Sequence, residues 1–163
     1  TDELTFDIAL GYIDAEFEEV FQETLEGRVD VADTFAIANT PEYTANFAAN
    51  YLLSTDVGDF IFNANYYYRD DYTITETSNS LITQDGYGLV NLSVSWQSED
   101  GTWYGGLHAK NLTDEEYVVG GYQFVVEDPT DPTGYAAGTG GDNTLIGYYG
   151  DPRTVSLTVG YRF

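Results

Sequence analysis

Arg153-Thr154-Val155-Ser156-Leu157-Thr158-Val159-Gly160-Tyr161-Arg162-Phe163 is the stretch whose reading decides the fold. Val155, Leu157, Val159, Tyr161 and Phe163 fall on one face, and Thr154, Ser156, Thr158, Gly160 and Arg162 on the other. Alternation with a period of two marks a β-strand, because successive side chains of a pleated backbone point to opposite sides. At about 3.3 Å per residue and a tilt of about 45°, a strand of this length crosses a hydrocarbon layer. Taken alone, it suits a membrane-spanning sheet and a soluble sandwich equally.

Five further segments alternate in the same way. Leu4, Phe6, Ile8, Leu10 and Tyr12 oppose Thr5, Asp7, Ala9 and Gly11. Tyr43, Ala45, Phe47, Ala49, Tyr51 and Leu53 oppose Thr44, Asn46, Ala48 and Asn50. Phe60, Phe62, Ala64, Tyr66 and Tyr68 oppose Ile61, Asn63, Asn65, Tyr67 and Arg69. Val90, Leu92, Val94 and Trp96 oppose Asn91, Ser93, Ser95 and Gln97. The weakest sets Trp103, Gly105, Leu107 and Ala109 against Tyr104, Gly106, His108 and Lys110. No segment carries a 3.6-residue apolar stripe, so no helix is predicted.

The polar faces separate the two readings. A soluble sandwich turns a charge-rich face to water, whereas these faces carry Asn, Ser, Thr, Gly and Tyr. Rings gather near the ends of the apolar faces, at Tyr12, Tyr43, Tyr51, Tyr66, Tyr68, Trp96, Trp103 and Tyr161. Aromatic girdles around an aliphatic band over a mildly polar interior describe a β-barrel in lipid. The expected fold is all-β: an antiparallel up-and-down meander of about six long strands, a segment of a transmembrane β-barrel. Strands are predicted at about 3–17, 43–54, 59–70, 87–97, 102–112 and 153–163. Short turns at 54–59 and 97–102 alternate with long connections at 18–41, 70–86 and 113–152, the pattern of periplasmic turns and external loops.

Charge sorts along the same lines. Of 28 acids, 21 lie in 14–42, 70–85 and 113–152, and no predicted lipid-facing position holds one. That is the distribution expected when a charge in hydrocarbon costs a few kcal/mol. With only five bases and a net charge of −23, the chain repels nucleic acid. At 42% hydrophobic and 16% aromatic residues it is too apolar for a disordered polyanion. The absence of Cys excludes disulfides and thiolate metal sites. A chain without Met that starts at Thr1 is expected to begin at a processed end or part-way along a longer sequence. Its first apolar residues alternate with polar ones, unlike a secretory leader, and no run of about 18 apolar residues exists to form a membrane helix.

Asn111-Leu112-Thr113-Asp114-Glu115-Glu116-Tyr117, leaving the fifth strand, and Tyr149-Gly150-Asp151-Pro152-Arg153-Thr154, leading to the sixth, carry a family resemblance. With the terminal Tyr161-Arg162-Phe163, they resemble the C-terminal end of TonB-dependent outer-membrane receptors. Asn39-Thr40-Pro41-Glu42-Tyr43-Thr44-Ala45-Asn46 and Tyr68-Arg69-Asp70-Asp71-Tyr72 are similar to earlier strand ends of the same family. The resemblance covers nearly the whole chain in order. It implies a 22-strand barrel with a plug domain and a short box that engages TonB, of which only the last six strands are matched here. It implies an energised importer of a scarce nutrient (siderophore, cobalamin or glycan) in the outer membrane of a Gram-negative bacterium. Partners implied are outer-membrane lipid, TonB through a region outside this chain, and the barrel-assembly machinery, which would read Tyr161 and Phe163.

Two other readings stay open. Six strands fall short of the eight in the smallest ordinary membrane barrel, and an open sheet has two unpaired edges. Copies of a receptor-derived fragment would then pair edge to edge into an oligomer or extracellular fibre. A soluble ligand-binding barrel is the third reading, and it requires an apolar interior.

Candidate chemistry is sparse. His108 is the single histidine, expected to face inward beside Lys110 and Tyr104; without Cys or a second His it offers zinc no ligand set. No Ser sits in a nucleophile elbow, so no catalytic residue, metal or cofactor is predicted, and an enzyme is not expected. Glu127-Asp128-Pro129-Thr130-Asp131-Pro132-Thr133 has oxygen ligands for a hard cation but not the spacing of a calcium loop. The Gly-rich run from Gly134 to Asp142 lacks the strand–helix context of a phosphate cradle and is predicted as a mobile loop. The glycosylation patterns at Asn91 and Asn111 carry no weight in a bacterial barrel. Candidate ligand contacts are Tyr67, Arg69, Tyr104, His108, Lys110 and Tyr122; Tyr72, Tyr148 and Tyr149 are further rings for stacking, and structural lining is the alternative for each.

Overall fold

The computed structural model describes residues 3–25, 27–77, 80–128, 131–137 and 145–163. In chain order the strands are β1 (Leu4–Tyr12), β2 (Phe21–Thr24), β3 (Gly27–Asp30), β4 (Tyr43–Thr55), β5 (Gly58–Arg69), β6 (Tyr72–Thr73) and β7 (Thr83–Gln84). They continue with β8 (Tyr87–Gln97), β9 (Trp103–Lys110), β10 (Val118–Gln123), β11 (Val125–Asp128), β12 (Asp131–Ala137), β13 (Leu145–Tyr149) and β14 (Thr154–Tyr161). A single 3-10 turn, Ala32–Thr34, is the only helical element among the described residues.

Six strands form one antiparallel wall in the order β1-β4-β5-β8-β9-β14, each paired with its sequence neighbour in the meander. The register keeps the two chemistries apart. Leu4, Tyr51, Phe62, Val94, Leu107 and Leu157 are aligned across all six strands. The adjacent row is Thr5, Asn50, Asn63, Ser93, His108 and Ser156. A one-residue slip in any pairing would turn a strand's apolar set to the wrong side, so the alternation fixes the register.

The apolar face has no cover. Ile8, Leu10, Leu157 and Val159 are 68%, 81%, 74% and 68% exposed, and among the described residues neither helix nor second sheet lies on them. A soluble sandwich or ligand-binding barrel would bury this side. Rings meet laterally at its turn end, Phe60 tilted against Trp96 at 6.4 Å and Trp103 edge-on to Tyr161 at 4.8 Å, and at its loop end, Tyr12 tilted against Tyr43 at 5.2 Å. Tyr43 and Leu53 stand at these two levels of β4; at about 3.3 Å per residue and a tilt near 40°, their separation corresponds to roughly 25 Å of height, that of a barrel's apolar band.

The opposite face is held by amides. Asn63 Nδ2 donates to Asn50 Oδ1 at 2.7 Å and Asn65 Nδ2 to Asn46 Oδ1 at 2.7 Å. Asn91 Nδ2 donates to Asn65 Oδ1 at 3.3 Å, and Asn91 Oδ1 accepts the Asn111 N–H at 3.0 Å. The turns are closed by side chains: the Thr55 hydroxyl donates to the Gly58 carbonyl, and the Asp100 carboxylate accepts the Ser98 hydroxyl and the Thr102 N–H.

The first strand is shorter than the 3–17 expected from sequence. Its ladder closes with the Ile13 N–H on the Glu42 carbonyl at 2.9 Å, and the acid-rich stretch that follows leaves the sheet. The long connections contain structure that the sequence reading did not anticipate: the hairpins β2–β3, β6–β7, β10–β13 and β11–β12.

Candidate functional site

The three long connections dock against one another at the loop end of the wall. Between the first and second, the Ala36 N–H donates to the Glu76 carbonyl at 3.0 Å and the Asn39 N–H to the Thr73 carbonyl at 2.9 Å. The Arg69 guanidinium donates to the Asn39 carbonyl at 2.6 Å and covers the Tyr72 ring at 4.0 Å. Between the second and third, the Tyr72 hydroxyl donates to the Val118 carbonyl at 2.7 Å, and Gln84 Oε1 accepts the Val118 N–H at 2.6 Å. Gln123 Oε1 accepts the Leu81 N–H at 2.7 Å.

Beneath these bonds sits the buried hydrophobic cluster of the described residues: Tyr72, Ile74, Ile82 and Tyr87, with Leu89, Tyr117 and Val118 packed on it. Tyr117 stacks on Tyr87 with ring centroids 4.5 Å apart. Burial, and then the neighbouring Tyr87 and Asp151, raise the Tyr117 phenol above its ordinary value. The alternation Tyr72-Thr73-Ile74 and the apolar pair Leu81-Ile82 were the available signal for this cluster, but each is too short to be told from loop sequence.

The third connection is clamped at its base. Asn111 is 4% exposed and adopts a positive φ of 47°. Its Nδ2 donates to the carbonyls of Glu115 and Asp151 at 2.8 and 3.1 Å, and its Oδ1 accepts the Glu115 N–H at 2.8 Å. Asp114 accepts the Arg153 N–H at 3.0 Å and pairs with its guanidinium at 3.3 Å. The two motifs that flank this connection are therefore parts of one clasp joining the end of β9 to the start of β14.

The candidate contact residues do not converge on one place. Arg69 is committed to the loop assembly. Tyr104 and His108 line a concavity of about 530 Å³ on the inner face near the turns, together with Asp59, Gln97 and Arg162. There Tyr104 packs over Gly160 beneath the Arg162 guanidinium, and the His108 imidazole folds back over Gly106. Tyr67 pairs with Asn46 and Leu89 within the wall, and Lys110 stands exposed opposite Thr154 at the end of β9. Tyr122 lies exposed on β10, stacked with Phe124 at 6.0 Å and edge-on to Tyr148 at 6.1 Å. Tyr161 and Phe163 are exposed and meet edge-on at 5.3 Å.

Glu127 and Asp128 pair with Tyr135 and Asp131 in the β11–β12 hairpin, and no cluster suited to a metal ion occurs among the described residues. Pro129, Thr130 and the stretch 138–142 lie outside the described residues.

Residues 3–112 match the family model described as TonB dependent receptor-like, beta-barrel. This chain belongs to that family. The match runs from β1 to the turn after β9; β14 continues the same wall through its eight-residue register with β9. The receptor-barrel wall is also similar to the crystal structure of the ferric yersiniabactin uptake receptor FyuA from Yersinia pestis. The TM-score is 0.68 at 16% identity, over 98% of this chain and 21% of that one. At that identity the likeness is one of fold, and this chain spans about a fifth of the FyuA receptor's length. Comparison with curated proteins finds no match. As in the expected segment, the barrel is not closed within this chain.

Proposed function

We propose that this chain forms the C-terminal six strands of an outer-membrane TonB-dependent importer, with the three long connections facing outward. The observation that carries the reading is the uncovered apolar face, aligned across six strands and backed by an amide-and-hydroxyl face. Such a wall is stable where lipid meets one side and a wet lumen the other. The docked loops are the part of this segment that cargo reaches first. TonB and a plug act through other parts of the receptor, and the cargo class is a siderophore, cobalamin or a glycan. Tyr161 and Phe163 serve as the signal for barrel assembly.

Two measurements test this. The protein should sediment with outer membranes after high-salt washing. Cells lacking it should lose uptake of one cargo from a panel of ferric siderophores, cobalamin and oligosaccharides, and that uptake should collapse with a protonophore. Normal uptake of every panel member in the deletion strain would sink the importer reading. The rival assembly of copies through the β1 and β14 edges predicts a native polypeptide of 18.1 kDa, which intact-mass measurement distinguishes from a receptor several times larger.

A further inference from the structure

Between the first and second connections lies a cleft of about 660 Å³. Its apolar wall includes Phe17 and Phe35, edge-on at 6.1 Å, and the buried Tyr72. Both flanks are fixed, because Phe35 bridges to Thr77, the Ala36 and Asn39 N–H groups bond to Glu76 and Thr73, and the Tyr72 hydroxyl is tied to Val118. The walls at Phe35 and Tyr72 are therefore preformed, and the Glu16–Phe17 rim joins them through the contact of Phe17 with Phe35.

Its polar wall carries Glu16, Asp33, Glu42 and Asp71, and no Lys, Arg or His lines it. Glu42 and Asp71 stand just beyond the loop ends of β4 and β5, which places this wall at the loop-end rim of the sheet. The carboxylates do not converge on a point: no group of three acids or histidines suited to a metal ion exists among the described residues. A bare metal ion is thus poorly served, whereas an extended organic cation can meet separate carboxylates while its apolar part lies on the rings.

We infer that this cleft binds a cationic, ring-bearing organic ligand and selects cargo of that class; the inference rests on the importer reading above. An anionic cargo would approach four carboxylates, with the neighbouring Arg69 guanidinium already engaged by the Asn39 carbonyl and the Tyr72 ring, within the field of a chain of net charge −23.

The test uses the full-length receptor in nanodiscs of outer-membrane lipid and three probes of one shape: 1-naphthylmethylammonium, 1-naphthalenemethanol and 1-naphthoate. The ammonium should bind about tenfold more tightly than the alcohol at low salt, and the advantage should shrink as salt rises. The double substitution Glu16→Gln with Asp33→Asn should abolish most of that preference without weakening the alcohol. Phe35→Ala should weaken the ammonium and the alcohol alike. Equal binding of all three probes, tighter binding of the naphthoate, binding of none, or an ammonium preference untouched by the double substitution would each overturn the inference. Uptake that persists when the cleft fails these tests removes the cleft alone; a sound cleft in a protein that moves no cargo removes the importer reading alone.

Discussion

The Tyr117 ring occupies the space that a Cβ on Gly150 would need, while the Gly150 N–H donates to the Tyr117 carbonyl at 2.8 Å. Each motif flanking the third connection thus supplies what the other lacks, a ring from one and a bare backbone from the other. Gly150→Ala should push Tyr117 off its stack with Tyr87 and cost about 1–3 kcal/mol, as overpacking does. At Gly147 an added Cβ would meet only Val118, at ordinary contact distance. Gly147→Ala should stay within about 0.5 kcal/mol of wild type. Urea titration, read with hydrogen exchange over 113–118, compares the pair; equal effects would mean that the ring contact is not what the glycine serves.

Asn111 is the buried polar group of the clasp, and its amide satisfies two carbonyls and one N–H. Asn111→Ala leaves these without partners and should cost about 1–3 kcal/mol. Asn111→Gly relieves the positive φ but not the lost bonds, so it should recover only a few tenths of that cost. Full recovery by glycine would assign the role of Asn111 to its backbone.

The Asp114–Arg153 pair is half exposed at both ends, and exposed pairs contribute about 0–1 kcal/mol. Asp114→Asn keeps an acceptor for the Arg153 N–H and should therefore change the urea midpoint little, at low or high salt. A large, salt-dependent loss would show that the charge dominates the clasp.

Acid should loosen two surface turns. Backbone N–H groups, first of Val20 and then of Ala32, hold the Asp30 carboxyl below its ordinary value; the Ser98 hydroxyl, then Thr102, does the same for Asp100. A depressed folded value means that these bonds contribute above the unfolded carboxyl value of about 3.9 and lose their contribution as pH falls through the folded value. Amide exchange at Val20, Ala32 and Thr102, corrected for its intrinsic pH dependence, should quicken below about pH 4. Asp30→Asn should remove the pH-dependent part at Val20 and Ala32 while leaving Thr102 unchanged.

The orientation of the wall is open to a paired substitution. Leu107 lies mid-strand on the apolar face between Val94 and Leu157, and Ser93 lies on the amide face between Asn63 and His108. In lipid, Leu107→Arg should cost about 2–4 kcal/mol and reduce assembled protein in the outer membrane. Ser93→Arg should be far milder. The reverse order would place lipid on the other side.

The amino-acid sequence by itself determined the wall. Strand geometry repeats every two residues, so Val155 to Phe163 or Tyr43 to Leu53 declare their faces, and one buried or lipid-covered face then fixes the register of every neighbour. The lengths of the connections followed from where alternation stops, although β1 ended at Tyr12, because acids beyond it have no place in the ladder. Tertiary structure alone decided the site. Asn111 finds Asp151, Phe17 finds Phe35, and Tyr72 finds Val118 across separations that carry no periodicity. Contacts of that kind arise from the wall bringing the ends of its connections side by side, and no local rule of propensity or spacing encodes which of their side chains will meet.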